Sequence, residues 1–310
     1  MAARNKRRKG QSSPRVGKID RRPSQPVRNR RFIVLVGVAL VAVVTVAAVV
    51  AFALVRRGGP SVEPWSRLGT EDVHSLAFID GDPQRLLFGH HGGILATADG
   101  GKTWAPLATR SDAMGLGVAA GGSIVIAGHE VFAESRDGGL TWVDIPAALP
   151  SLDIHGFARD PGDPARMWVY LAIGGLWESL DFGRTWLKIQ EQNIVFPVAI
   201  ATSSGTGLVG VTAAGIGRSD DGGRTWRTVT DPQLYPVTGL AATSDGSILI
   251  ASGPDRLARS DDGGVTWSSL PFTGMPAAVA VTADGRSIAL VTRSTEFYRS
   301  DDGGRTWPGP

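Results

Sequence analysis

The chain has 310 residues, no cysteine, and 32 basic against 29 acidic side chains. The absence of cysteine excludes disulfides, thiolate metal ligands and cysteine nucleophiles. Residues 1–31 hold 12 basic residues and one acid, whereas residues 58–310 hold 18 basic and 28 acidic residues. The larger part is therefore acidic, which excludes a basic nucleic-acid-binding domain. The 41 glycines and 19 prolines indicate a turn-rich β protein and not a helix bundle.

The first 55 residues predict a tail followed by a membrane anchor. Residues 1–31 are basic and poor in apolar side chains, which predicts a disordered tail. Residues 32–55 carry no charge and one polar side chain, Thr45. A helix of that length measures about 36 Å, enough to cross a hydrocarbon core of about 30 Å. We therefore predict a transmembrane helix over residues 32–55.

The charge distribution predicts the orientation of this anchor. Most basic residues precede the apolar segment, so the positive-inside rule places residues 1–31 in the cytoplasm and residues 58–310 outside the cell. The expected localisation is the cell membrane, with a single span. A cleaved signal peptide is the alternative, because residues 51–53 have A-x-A form. The apolar segment is, however, longer than the roughly 7–15 residues of a signal-peptide core, which favours an uncleaved anchor.

Residues 56–64 read as a linker, and residues 65–310 contain six copies of one phrase. Its pattern is Ser/Thr-x-Asp-x-Gly-x-Thr-Trp, and the Trp-to-Trp steps are 38, 44, 40, 41 and 40 residues. Such a period accommodates four short strands, here A to D, with the phrase at the C–D turn. The aspartates of the six copies are Asp99, Asp137, Asp181, Asp221, Asp262 and Asp302. We predict a structural role for them, because a short carboxylate closes a turn on nearby N–H groups.

This phrase resembles the Asp-box, or BNR, repeat of sialidase-like β-propellers. The histidine-containing stretches at residues 74–78, 90–93 and 153–157 are similar to a bacterial group labelled glycosyl hydrolase or exo-α-sialidase. The resemblance implies an all-β, six-bladed β-propeller over residues 65–310. The last phrase ends at Trp307 and two prolines follow, so no fourth strand continues there. Residues 65–68 resemble the short segments that begin at the Trp of the other copies of the phrase. We predict that residues 65–68 form the missing strand of blade six.

The sialidase resemblance also implies a catalytic set, which the sequence does not supply. That family uses three arginines, one in an Arg-Ile-Pro motif, and a Tyr–Glu nucleophile. No Arg-Ile-Pro occurs, and of the three tyrosines only Tyr235 falls in a D–A loop, while Tyr170 and Tyr298 fall in predicted strands. Two functions stay open: a binding module for a cell-surface glycan, protein or other ligand, which we favour, and an exo-α-sialidase type glycoside hydrolase.

The histidines provide the candidate site. In a four-stranded blade the D–A and B–C connections share one face, and all five histidines map to them. One interpretation is that they are ordinary loop residues. The other is a ligand or metal site, with Zn²⁺ or Cu²⁺ as the candidate ion, because imidazoles and carboxylates are typical ligands of these metals. The candidates are His74, His90, His91, His155, Asp72 and Asp153, with Glu71 and Glu130 nearby and His129 as a possible bystander.

Overall fold

A computed structural model describes residues 63–109, 111–119, 121–229 and 234–309. Residues 60–310 form one unit of the chain. The predicted tail, the predicted membrane helix and most of the predicted linker lie outside the described residues. Within the described ranges, no helix is long and apolar enough to cross a membrane.

In the part of the chain that the structure describes, twenty-four strands form six antiparallel sheets of four strands each. Strand β1 covers Ser66–Arg67. Blade one contains β2 (Ser75–Ile79), β3 (Asp82–His90), β4 (Gly93–Thr97) and β5 (Ala105–Pro106). Blade two contains β6 (Gly115–Ala119), β7 (Ser123–Gly128), β8 (Val131–Ser135) and β9 (Val143–Asp144). Blade three contains β10 (Ile154–Arg159), β11 (Met167–Leu171), β12 (Gly175–Ser179) and β13 (Leu187–Gln190).

The second half of the chain repeats this pattern. Blade four contains β14 (Val195–Thr202), β15 (Gly205–Thr212), β16 (Gly215–Ser219) and β17 (Arg227–Thr228). Blade five contains β18 (Gly239–Ala242), β19 (Leu249–Gly253), β20 (Arg256–Ser260) and β21 (Ser268–Leu270). Blade six contains β22 (Pro276–Val281), β23 (Ile288–Thr292), β24 (Glu296–Ser300) and β1. The predicted six-bladed, all-β propeller is confirmed.

The first strand of each blade lies innermost, and these strands contact one another around a central channel. The second strands are buried on both faces because each blade is packed between two others. In β11, for example, all five residues from Met167 to Leu171 are buried. A strand in this position reads as a continuous apolar run, since neither face meets water.

The N-terminal strand closes the ring, as predicted from its similarity to the material after the other boxes. Strand β1 pairs antiparallel with β24, with Ser66 opposite Phe297 and Arg67 opposite Glu296. The amide of Trp65 donates to the Phe297 carbonyl at 2.8 Å, and Trp65 packs on the cluster that contains Phe297. Blade six is thus built from both ends of the domain, so β24 is not left as an open edge.

Each Asp-box forms a small hydrogen-bonded knot. In blade four the Ser219 hydroxyl donates to the Asp221 carboxylate at 2.7 Å and accepts from the Gly223 amide at 2.8 Å. The carboxylate also accepts from the Thr225 amide at 2.9 Å and the Thr225 hydroxyl at 2.6 Å. The same bonds recur in the other five boxes. Two side chains therefore bond most of the turn's polar groups internally.

The glycine of each box places its backbone against the preceding blade. A Cβ on Gly139 would lie 2.4 Å from Leu107, and one on Gly264 would lie 2.8 Å from Val229. Both glycines also have positive φ, 91° and 95°. Any side chain here would be strained and would push two blades apart, so glycine is required on both counts.

Removing β1 should open the ring. We compare a chain that begins at Thr70 with one that begins at Pro60, which keeps β1 and serves as the matched control. The shorter chain loses the packing of Trp65 and Leu68 and exposes β24. We expect it to be less stable by about 3 kcal/mol, and its Tm to fall by about 6–12 °C. Equal thermal unfolding curves would show that β1 does not hold the ring together.

The Asp-boxes should make the domain acid-sensitive. Hydrogen bonds from the box threonines lower the pKa of Asp137, Asp181 and Asp262 to about 2. A carboxylate whose folded pKa lies below its unfolded value stabilises the fold above the unfolded value, and this stabilisation is lost as pH falls through the folded pKa. The urea midpoint should therefore drop between pH 4 and pH 2.

A non-titrating variant provides the control for this effect. Asn in place of Asp262 keeps one acceptor oxygen but cannot be protonated, so Asp262→Asn should show a shallower fall over the same interval. A wild-type urea midpoint that stays constant from pH 5 to pH 2.5 would contradict the prediction.

Candidate functional site

One equivalent residue from each blade surrounds the end of the channel, which we call the channel mouth. Each of these residues lies at or just before the innermost strand of its blade. In chain order they are His74, Met114, His155, Phe196, Thr238 and Ala277. Two imidazoles thus share a small opening with apolar side chains.

Bulges aim several of these side chains at the mouth. The pairing register shifts between Ile154 and Gly156 in β10, between Val195 and Val198 in β14, and between Pro276 and Ala278 in β22. The residues left over include His155, Phe196 and Ala277. Phe196 also has a positive φ of 49°, a conformation that costs a non-glycine residue about 1–3 kcal/mol. The fold therefore tolerates local strain at the mouth.

The mouth encloses a cavity of about 600 Å³. Apolar walls come from Met114, Val195, Phe196 and Val237, and Arg293 contributes an exposed cation from the β23–β24 turn. Ligand pockets typically measure about 300–1,000 Å³ and combine apolar walls with a few polar groups. The cavity has this composition.

Seven side chains of blades one to three form a row on the same face, here called the His–Asp row. In spatial order its members are His74, Asp72, His91, Asp112, His129, Asp153 and His155. Imidazoles and carboxylates alternate along it.

The first half of the row is organised by Asp72. The amide of His91 donates to Asp72 Oδ1 at 2.9 Å, and the His91 ring is hydrogen-bonded to the other oxygen. The rings of His74 and His91 meet edge to face, with centroids 4.3 Å apart. Burial by itself raises the pKa of Asp72, but the His91 hydrogen bonds and the nearby imidazoles outweigh it, so the pKa is lowered. Asp72 is therefore an anion across the physiological range.

Two buried polar atoms of the row lack a hydrogen-bond partner among the described residues. Asp112 is 9% exposed and accepts from the amide of His129 at 3.2 Å. In the ranges that the structure describes, its Oδ1 and the Nε2 of His74 have no hydrogen-bond partner, and these two atoms lie 3.7 Å apart. Burial lowers the pKa of His74, which favours its neutral form. Leaving a buried polar atom unpaired costs free energy, so this part of the row is a candidate for binding a group that supplies the missing partner.

The second half of the row is more compact. His129 Nδ1 lies 2.6 Å from Asp112 Oδ2. On the other side of the ring, His129 Nε2 lies 3.2 Å from His155 Nε2 and 3.4 Å from Asp153 Oδ1. His155 Nε2 lies 3.0 Å from the same Asp153 oxygen.

The sequence-predicted residues separate into two sets. His74, His91, His155, Asp72 and Asp153 come together in the row, and His74 and His155 both line the mouth. His90 does not join them within ligand distance in the described ranges: its ring stacks on Phe88 and accepts from the Gly92 amide at 3.1 Å.

Sequence reasoning missed Asp112 and treated His129 as a possible bystander, yet both lie at the centre of the row. A signal for Asp112 was present. Asp72, Asp112 and Asp153 each stand two residues before an equivalent mouth residue, in the pattern Asp-x-His/Met-Ser/Gly. Aligning the three blades on that pattern would have found it.

The residues considered for a sialidase-type nucleophile are dispersed. Tyr170 and Tyr298 are buried in β11 and β24, whereas Tyr235 is exposed beside the mouth. Tyr298 donates to Glu296 at 3.2 Å, and burial raises the pKa of Tyr298 to about 12, so this pair is poorly suited to nucleophilic attack.

Comparison with known proteins supports the repeat type. The family described as Photosynthesis system II assembly factor YCF48, a BNR repeat family, matches residues 183–309. The chain carries a BNR-type β-propeller. These matches give no support to the sialidase-like group in particular. A curated relative, an oligoxyloglucan-reducing end-specific xyloglucanase of Emericella nidulans, is 30% identical over 122 residues. That match covers 31% of this chain but 14% of the relative.

Solved structures share the fold at low sequence identity. The GH74 enzyme of Niastella koreensis has a TM-score of 0.54 at 16% identity, over 80% of this chain and 48% of that one. YCF48 bound to D1 peptide has a TM-score of 0.51 at 22% identity, over 80% of this chain and 85% of that one. YCF48 from Cyanidioschyzon merolae has a TM-score of 0.51 at 18% identity, over 77% and 85% of the two chains. The chain thus spans about half the length of the GH74 enzyme and most of the YCF48 chains.

Proposed function

We propose that this propeller is a binding module that takes a polypeptide segment at the channel mouth. The observation that carries the proposal is the mouth cavity, which joins apolar walls to an exposed guanidinium and two imidazoles. A short peptide offers the matching mixture of apolar and charged side chains. A propeller of the same fold has been solved with a peptide bound, which supports this use of the scaffold.

The size of the cavity favours a segment over a folded partner. A volume of about 600 Å³ accommodates a few side chains. Phe196, Met114 and Val237 provide a surface for apolar residues of the peptide, since burying apolar area supplies most of the binding free energy.

The charge of the mouth sets the expected preference. Arg293 is exposed and, in the ranges the structure describes, has no ion-pair partner. A guanidinium recognises a carboxylate with two parallel hydrogen bonds. The proposed ligand is therefore a segment with an acidic residue next to apolar residues.

Glycan binding or hydrolysis is the second candidate, and the 30% identity to a xyloglucanase over 122 residues favours it. Glycoside hydrolysis generally requires two carboxyl groups on either side of the scissile bond. The one carboxylate that lines the mouth, among the described residues, is Asp72, and His91 already occupies both of its oxygens. This arrangement favours binding over hydrolysis.

Peptide binding can be tested by selection. A phage-displayed random peptide library is panned on the purified full-length protein, and selected peptides are measured by fluorescence anisotropy. We expect peptides that combine acidic and apolar residues. Arg293→Ala should weaken their binding at least 10-fold, equivalent to about 1.4 kcal/mol.

Arg286→Ala is the matched control, because Arg286 is also exposed but lies at the opposite end of β23. It should leave affinity unchanged. Failure to enrich any peptide, or equal binding to the Arg293→Ala protein, would overturn the proposal. Titration with xyloglucan oligosaccharides and sialyllactose, together with a reducing-sugar assay, detects the glycan alternatives directly.

The proposal places this module on the outer surface of the membrane, on the basis of the apolar segment and the basic tail. Because the chain has no cysteine, Ser12→Cys and Ser203→Cys each introduce a single thiol. A membrane-impermeant maleimide applied to intact cells should label Ser203→Cys and not Ser12→Cys, and permeabilised cells should show both. The reverse pattern would refute this orientation, and loss of an N-terminal epitope would indicate a cleaved signal peptide.

A further inference from the structure

Three possible ligand atoms lie close together at one end of the His–Asp row. They are the Nε2 atoms of His129 and His155 and one carboxylate oxygen of Asp153. Their separations are 3.2 Å between the nitrogens, 3.0 Å from His155 to Asp153, and 3.4 Å from His129 to Asp153. The three atoms thus form a nearly equilateral triangle.

The dimensions of this triangle match a face of a metal coordination sphere. Zinc binds imidazole nitrogen and carboxylate oxygen at about 2.0–2.2 Å, so tetrahedral ligands lie about 3.3–3.5 Å apart, and ligands at right angles about 3 Å apart. The observed separations of 3.0–3.4 Å lie between the right-angle and the tetrahedral values. A single proton can bridge one of these three contacts, whereas a divalent cation at the centre would satisfy all of them.

Asp112 prepares His129 for such a role. Its carboxylate lies 2.6 Å from His129 Nδ1, so the hydrogen of the neutral ring belongs on Nδ1 and the lone pair on Nε2. A buried carboxylate behind the remote nitrogen is the usual support of a metal-binding histidine, because it fixes the tautomer and raises the basicity of the ring. Asp112 is buried, and within the described ranges its second oxygen has no hydrogen-bond partner.

The backbone also fixes the ligands in advance. His129 and Asp153 pair in an isolated β-bridge, and the Glu130 amide donates to the Leu152 carbonyl at 2.9 Å. His155 sits in the bulge of β10. The backbone of all three residues is therefore fixed by hydrogen-bonded local structure, so little backbone ordering is needed when a metal binds.

The triangle is open to solvent on one side. The side chains of His129, Asp153 and His155 are 41%, 43% and 35% exposed. Three protein ligands with an open position are the arrangement of metal sites that take water or a ligand as a further donor. His155 also lines the channel mouth, so this open position lies beside the cavity.

We propose that His129, His155 and Asp153 bind one divalent transition-metal ion, with Asp112 orienting His129. Two imidazole nitrogens and one carboxylate oxygen suit Zn²⁺ and Cu²⁺. In the neighbouring group of Asp72, His74 and His91, the His74 Nε2 atom lies 3.6 Å from Asp72 Oδ1, which is wider than any side of this triangle. The site does not depend on peptide binding.

Calorimetric titration of the metal-stripped full-length protein with Zn²⁺, and separately with Cu²⁺, tests the proposal. We expect one saturable site per chain. His155→Ala and His129→Ala should each weaken binding at least 100-fold. Asp112→Asn should weaken it about 10–100-fold, as loss of a supporting carboxylate does elsewhere. Circular dichroism checks that each variant is folded.

Two control variants separate this site from its neighbours. His90→Ala removes a histidine of the same face that lies outside the row, and His74→Ala removes one from the neighbouring group. Both should bind metal as the wild type does. Copper EPR of the native protein provides a measurement that needs no variant, with coupling to two nitrogens expected. Absence of a saturable site, binding that survives in the His129→Ala and His155→Ala proteins, or binding lost in His74→Ala but not in His155→Ala would overturn the assignment.

Discussion

The hydrogen-bonded knot of the Asp-box is the interaction on which the propeller depends. The Ser or Thr hydroxyl and the carboxylate close each C–D turn, and the glycine two residues after the aspartate brings its backbone into contact with the preceding blade. The knot therefore fixes both the shape of a blade and its spacing from its neighbour. The six boxes lie on one face of the propeller and fix the blades there. The D–A and B–C loops on the opposite face are therefore not needed to hold the blades together. The mouth and the His–Asp row lie on that opposite face.

The mouth and the row arise from the same geometry. Each blade delivers one residue to the channel opening, and in blades three, four and six that residue lies in a bulge. The residue two positions earlier is an aspartate in blades one to three, where the B–C turns of blades one and two supply His91 and His129. Because each of these histidines lies between an aspartate of its own blade and one of the next blade, carboxylates and imidazoles alternate along the row.

Sequence reasoning predicts much of this because the boxes are local. The six phrases set the number of blades, and the match of Trp65 to the residues after the boxes predicts the closure through β1. The face that carries the histidines follows from blade topology. The partners within that face do not, because His129 meets Asp153 and His155 across a blade boundary. The role of Phe196 was equally out of reach, since a bulge changes the direction of a side chain without a clear mark in the sequence.

The closure of blade six has a consequence for how the protein is made. Arg67 and its partner Glu296 are 229 residues apart in the chain. At a synthesis rate of about 5–20 residues per second, β1 leaves the ribosome roughly 10–50 s before the strand it must pair with. During that time the blade-six side of the cluster around Trp65, which includes Phe297, has not been made. The ring can close only after nearly the whole chain has been made, so a product that terminates before β24 keeps an unpaired β1 and is a natural target for chaperones and proteases.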